Sequence, residues 1–182
     1  AANGLMKYPR AELAEALHDL MVGEFHDILP GSSIQPVEDA ALRMYDHGLE
    51  IAARLKARAF FCLARGQARA RPGTIPIMVY NPHPYPVRTL VECEFNLPDF
   101  RGLGDFTRIH VHEGGTELPA QVEHELSNVP VEWRKRVVFP AELAPSQMSR
   151  FDCTMEPLKR KPPVRLRARG GKIVFKTKDL QV

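Results

Sequence analysis

Two adjacent residues are the best placed for chemistry, His26 and Asp27, within Glu24-Phe25-His26-Asp27-Ile28-Leu29-Pro30-Gly31-Ser32-Ser33-Ile34. A neutral imidazole can hold zinc through one ring nitrogen while an adjacent carboxylate or carbonyl orients the other. The same two side chains can instead simply decorate a helix C-terminus, as a cation and a capping carboxylate. One ligand is not a metal site, so any metal here needs further ligands from elsewhere.

Three other features carry reactive or binding groups. His110 and His112 stand at i and i+2 on a candidate strand, which puts both rings on one face, with His124 on the next strand. They could form a metal clip, but no carboxylate or thiol stands at matching spacing, so a cross-strand polar pair on a solvent face is the reading. Trp133 precedes Arg134, Lys135 and Arg136 and could stack on a sugar; beside Val137 and Val138 it reads as core. The C-terminal stretch is basic, with Lys159, Arg160, Lys161, Arg165, Arg167, Arg169, Lys172, Lys176 and Lys178. Such a run could grip phosphates. However, Val164, Leu166 and Ala168 alternate with arginines as in a half-buried strand, and no aromatic residues interleave, which disfavours nucleic acid.

The elements that must position these groups change character along the chain. Leu13, Leu17, Leu20, Met21 and Phe25 fall at helical spacing, predicting an amphipathic helix from about Pro9 to His26, with His26 and Asp27 reached in its last turn. Pro30 and Gly31 end it, glycine being free to take positive φ. A second helix opens near Ser33 to Pro36, with serine as N-cap, and runs to about Arg65. Its seam is Val37, Ala41, Met44, Gly48, Ile51 and Leu55, spaced for packing on a nearly antiparallel neighbour. After the linker-like Gly66 to Gly73 the period becomes two. Strands are predicted at 75–80, 87–95, 106–112, 118–125, 133–139, 149–155, 164–168 and 172–177, with turn formers between them, the pattern of an antiparallel β-sandwich.

Length and composition agree with two small cores: 182 residues at 44% hydrophobic content divide into a helical part, 1–72, and a β-part, 73–182. The net charge of +3 argues only for solubility. Cys62, Cys93 and Cys153 are scattered and odd in number, which fits free thiols in a reducing compartment and predicts a cytoplasmic location. No apolar run is long enough to span a bilayer, and the opening residues lack the shape of a signal peptide. The start, Ala-Ala-Asn-Gly without methionine, reads as an internal one.

The run FHDILPGSSI closely resembles the segment at the start of the middle domain of family 38 glycoside hydrolases, the α-mannosidases. In that family the histidine of the HD pair ligates the catalytic divalent metal, usually zinc, and the aspartate contacts the bound sugar. The resemblance therefore implies that His26 is a metal ligand and Asp27 a substrate-binding residue. Pro76-Ile-Met-Val-Tyr-Asn-Pro82 resembles the opening strand of the family's β-region. The likeness is strong over 9–55 and weaker over 75–95.

The family's nucleophile, acid/base carboxylate and other metal ligands lie in a larger N-terminal catalytic domain. No catalytic residue is thus implied within this chain, and alone it is expected to be inactive and to bind zinc weakly. The implied reaction of the whole enzyme is retaining hydrolysis of α-mannosidic bonds in a mannose-containing glycan. The implied fold class is α+β: a helical hairpin, the remnant of a three-helix bundle, followed by a truncated antiparallel β-sandwich. Two helices leave one flank of the seam open, so a second copy, a swapped element or the β-region is expected to cover it. A non-catalytic carbohydrate-binding or structural module is the alternative, and a nucleic-acid-binding module a more distant one.

Overall fold

The structure, a computed structural model, describes residues 4–101, 105–123, 132–160, 162 and 168–173. It divides into two compact units, Ala1–Arg69 and Ala70–Val182. No described helix is long and apolar enough to cross a membrane.

The first unit is a pair of helices, α1 (Arg10–Gly23) and α2 (Gln35–Ala64). In α2 the predicted seam holds except at its first position: Ala41, Ile51 and Leu55 are buried and Met44 and Gly48 half-buried, whereas Val37 is exposed. The predicted serine cap does not form. Ile34 occupies the N-cap, no side chain caps the helix, and Pro36 sits in the first turn, where its missing N–H costs nothing.

α1 departs further from its pattern. The predicted apolar stripe faces outward, with Leu17, Met21 and Phe25 all more than half exposed. The buried residues of α1 are Asp19 and Gly23. Close approach explains the reversal. Gly48 lies against the Ala16 carbonyl, where an added Cβ would stand 3.4 Å from that oxygen, and the Tyr45 ring lies so near Gly23 that a Cβ there would meet it at 2.1 Å. A face of Ala16, Asp19 and Gly23 lets the two backbones approach, and the leucines are left on other faces. Asp19 is tolerated inside because its Oδ2 pairs with His47 Nδ1 at 2.8 Å. Arg58 of α2 grips both carboxylate oxygens of Glu12 at 2.9 and 2.8 Å nearer the open end.

Every described strand pairing in the second unit is antiparallel. One sheet has the order β1-β7-β3-β4 and another β2-β6-β5, with β8 (Ala168–Arg169) and β9 (Lys172–Ile173) forming a separate hairpin. The strands are β1 (Thr74–Tyr80), β2 (Val87–Arg101), β3 (Phe106–Glu113), β4 (Thr116–Leu118), β5 (Gln121–Glu123), β6 (Glu132–Leu143) and β7 (Met148–Leu158). Alternate residues of the two larger sheets share one core: Val91 and Leu97 from β2, Val137 and Phe139 from β6, Ile109 and Val111 from β3, Phe151 and Cys153 from β7. Phe139 and Phe151 meet at 4.9 Å between centroids, so the predicted two-layer packing is realised.

The predicted strand at 118–125 is two strands in different sheets. Leu118 ends β4, Pro119 and Ala120 carry the chain across, and Gln121 begins β5 on β6. Proline has no N–H for the ladder, so pairing breaks there. The β3–β4 connection is a two-residue loop, Gly114-Gly115, both with positive φ, as a tight hairpin requires. Of the predicted strands at 164–168 and 172–177, Ala168 in β8 and Lys172 and Ile173 in β9 are described; the rest lies outside the described residues, as do His124 and much of the basic stretch.

Asn81 is the anchor of the unit. Its side-chain amide donates to the carbonyls of Tyr85 (2.9 Å), Leu143 (3.2 Å) and Ala144 (3.1 Å), and its Oδ1 accepts the His83 N–H at 3.0 Å. The turn after β1 is thereby stapled to the turn after β6.

Candidate functional site

The segment carrying His26 begins where α1 stops. The sequence predicts His26 in the last helical turn; the helix instead ends at Gly23, and His26 and Asp27 lie in the turn that follows. Glycine is a poor helix former, and here it is also the point of contact with Tyr45. The backbone then tightens: the Phe25 N–H donates to the Val22 carbonyl at 3.2 Å, and those of Ile28 and Leu29 both donate to the Phe25 carbonyl, at 2.9 and 3.0 Å. Gly31 closes the turn with φ of +73°, the conformation its sequence position predicts.

On this turn the His26 side chain is 76% exposed and that of Asp27 59%, with His26 Nε2 3.5 Å from Asp27 Oδ1. The Phe25 ring tilts against the imidazole at 4.3 Å. Ser32 Oγ donates to the Asp27 carbonyl at 3.3 Å, tying the far side of the turn back to it. The ring is therefore open to an approaching partner and has one nitrogen beside a carboxylate, an arrangement compatible with single metal ligation through the other. Among the described residues no group of three or more His, Cys, Asp or Glu could hold a metal ion. The chemistry of the exposed His26 ring thus fits one ligand of a metal site whose other ligands would come from elsewhere.

A cavity of about 1120 Å³ opens at the other end of the helix pair, where Tyr8, Pro9 and Arg10 face Phe61, Cys62 and Arg65. Its one carboxylate, Glu12, is occupied by Arg58, so the cavity offers no acid/base pair.

In the β-unit Trp133 departs from the sequence reading, whereas His110 makes cross-strand polar contacts as expected. Trp133 is 49% exposed rather than core; the apolar strand ends short of it, and Lys135 takes the next inward position. Lys135 is 3% exposed, paired with Glu132 and set over the Phe106 ring at 4.4 Å. His110 has the carboxylates that spacing failed to reveal. Its Nδ1 lies 2.7 Å from Glu117 Oε1 on β4 and its Nε2 3.2 Å from Glu156 Oε2 on β7, with Arg108 Nη1 2.8 Å from the same Glu156 oxygen. The hydrogen bond to Glu117, then that to Glu156, holds the imidazole above its usual range, and both carboxyls lie below theirs chiefly because of His110. Only the strand register brings these residues together, so no linear pattern reports them.

The two thiols of the β-unit are held in the protonated, unreactive form. Burial first, then the charge of Glu92, pushes Cys93 up to about 11, and burial pushes Cys153 up to about 12.

Residues 1–63 match the family model described as the alpha mannosidase middle domain. The structure is similar to the crystal structure of an alpha-mannosidase from Enterococcus faecalis V583, with a TM-score of 0.62 and 15% sequence identity over 89% of this chain. The chain spans 22% of the length of that protein. No curated protein matches it. The resemblance read from the HD segment thus extends to a family match over the helical unit and to a shared fold over most of the chain.

Proposed function

We propose that this chain is part of a metal-dependent, retaining α-mannosidase, to which it contributes His26 as one metal ligand and Asp27 as a contact to a mannose hydroxyl. The nucleophile, the acid/base carboxylate and the other metal ligands belong to a catalytic domain outside this sequence. The observation that carries the proposal is the middle-domain match over residues 1–63, which includes a turn presenting His26 and Asp27 to the outside. A sealed imidazole would have no route to a metal held by another domain.

His26 donates one nitrogen lone pair, its ring orientation set by Asp27 and by the Phe25 ring. Asp27 accepts a sugar hydroxyl, and the turn closed by Gly31 keeps the two residues at a fixed separation. A divalent ion such as zinc, held in part by His26, would supply a Lewis acid for sugar hydroxyls and favour an oxocarbenium-like ring shape, with two carboxylates from outside this sequence acting in turn. The outward leucines of α1 suit a helical pair that packs on further protein.

The test is His26→Ala in the longer enzyme that contains this segment, with metal content and hydrolysis of an aryl α-mannoside as readouts. Loss of metal and of nearly all turnover, with circular dichroism unchanged, is expected; full metal content with full activity would refute the assignment.

The half-exposed Trp133 favours one second reading, a carbohydrate-binding face on the β-unit. Titration of its fluorescence with mannose oligosaccharides tests it: a saturable change supports the reading, and an unchanged spectrum removes it.

A further inference from the structure

His110 occupies an unusual place among the described side chains of the β-unit, with a carboxylate at each ring nitrogen. It stands on β3, between edge strand β4 and strand β7. Glu117 of β4 lies at Nδ1 and Glu156 of β7 at Nε2. Carboxylates can only accept, so both contacts exist together only when both nitrogens carry hydrogen, that is, in the imidazolium form. A neutral ring has a single N–H and must turn a lone pair toward one carboxylate.

The strands on either side are held unequally. β7 pairs along β1 and along β3, whereas β4 is a three-residue edge strand held, among the described residues, by β3 alone. When one contact is lost, the β4 side gives. His110 and Glu117 also wall a cavity of about 310 Å³, whose lining they share with Leu118, Pro119 and Val122. Release of Glu117 would open that wall.

We propose that His110 is a proton-controlled latch, which as an imidazolium fastens the β3–β4 hairpin through Glu117 and as a neutral ring lets that edge loosen.

The other charged groups on this face act with it. Arg108, two residues away on β3, pairs with Glu156 and keeps that carboxylate in place. His112 stands opposite Glu117 on β4 and Asp152 on β7 and helps hold Glu117 ionised, while Arg150 pairs with Asp152. The sign follows from the directions of the shifts. His110 titrates above its ordinary value, so its contribution is complete below the usual histidine range and is lost as pH rises through the elevated value. Glu117 and Glu156 titrate below theirs, so the opposite limit comes only as pH falls through the depressed carboxylate values. The latch is closed between those limits.

Amide hydrogen exchange of the 182-residue chain, corrected for intrinsic rates across pH 5.5 to 9, tests this on the amides of β4, with those of β6 as internal reference. Protection of β4 is expected to fall by roughly two- to fivefold as pH rises, the scale of an exposed ion pair, while β6 stays level. His110→Gln and Glu117→Gln should both leave β4 at the low, pH-independent level, and Glu117→Gln should also bring the His110 ring titration, followed by NMR, down toward the ordinary value. His112→Gln should keep the transition. Flat β4 protection in the parent, or an unchanged transition in His110→Gln, would overturn the proposal.

Discussion

Replacement of Asn81 by alanine is the most direct test of what holds the β-unit together. Asn81 is 2% exposed, and its amide lies within hydrogen-bonding distance of three carbonyls while its Oδ1 accepts the His83 N–H. Asn81→Ala removes two donor hydrogens and one acceptor from a place water cannot readily refill. At about 0.5–1.5 kcal/mol net for each neutral hydrogen bond, with a further cost for groups left unpaired, the expected loss is about 2–5 kcal/mol. Asn81→Asp is the control. It keeps the size and the acceptor for His83, yet sets a carboxylate against the carbonyls of Tyr85, Leu143 and Ala144. At neutral pH it should destabilise at least as much as alanine, and part of the loss should return on acidification, when a protonated carboxyl can donate again. The assay is urea unfolding followed through Trp133, the single tryptophan, which reports this unit and avoids treating two units as one transition. If both variants unfold within about 1 kcal/mol of the parent, the staple carries little, and the turns are held by their backbone bonds alone.

In the helical unit, Gly23→Ala places a Cβ 2.1 Å from the Tyr45 ring, so a loss of about 1–3 kcal/mol is expected in thermal unfolding read by the helical circular dichroism signal. Tyr45→Ala combined with it should cost less than the two separately; strict additivity would show that the contact is absent. Cys93 and Cys153, with thiols raised to about 11 and about 12, should resist thiol-disulfide reagents at pH 8 in the folded chain, since roughly a thousandth or less is thiolate. Rapid labelling of either cysteine while the far-UV spectrum stays native would contradict their burial.

The sequence makes the β-unit legible where alternation is strict. Val137, Phe139 and Ala141 alternate toward the core as the pattern requires, and β1, β3 and β7 lie within a few residues of their expected bounds. It also makes the HD turn legible through a run of adjacent residues, and the seam of α2 through its spacing. The face of α1 is not legible, because hydrophobic periodicity reports which residues avoid water, whereas the contact chosen depends on how closely two backbones approach. That is decided by Ala16, Gly23 and Gly48, residues with almost nothing to count. Asp19 with His47, and His110 with Glu117 and Glu156, are invisible for a related reason: each pair is joined only by register between elements. Lys135 reads as solvent-facing by type and is buried because Glu132 and the Phe106 ring receive its charge.

The crossing at Pro119 has a further consequence. One border of each larger sheet is supplied by the same stretch, β4 for one and β5 for the other, and each border strand is three residues long. Unpaired borders invite foreign strands to add on, and brevity is a standard defence against it. Here a single excursion around one imino acid blunts two such templates at once, so a lesion in that excursion would bare both, and the first symptom would be self-association into β-rich aggregates.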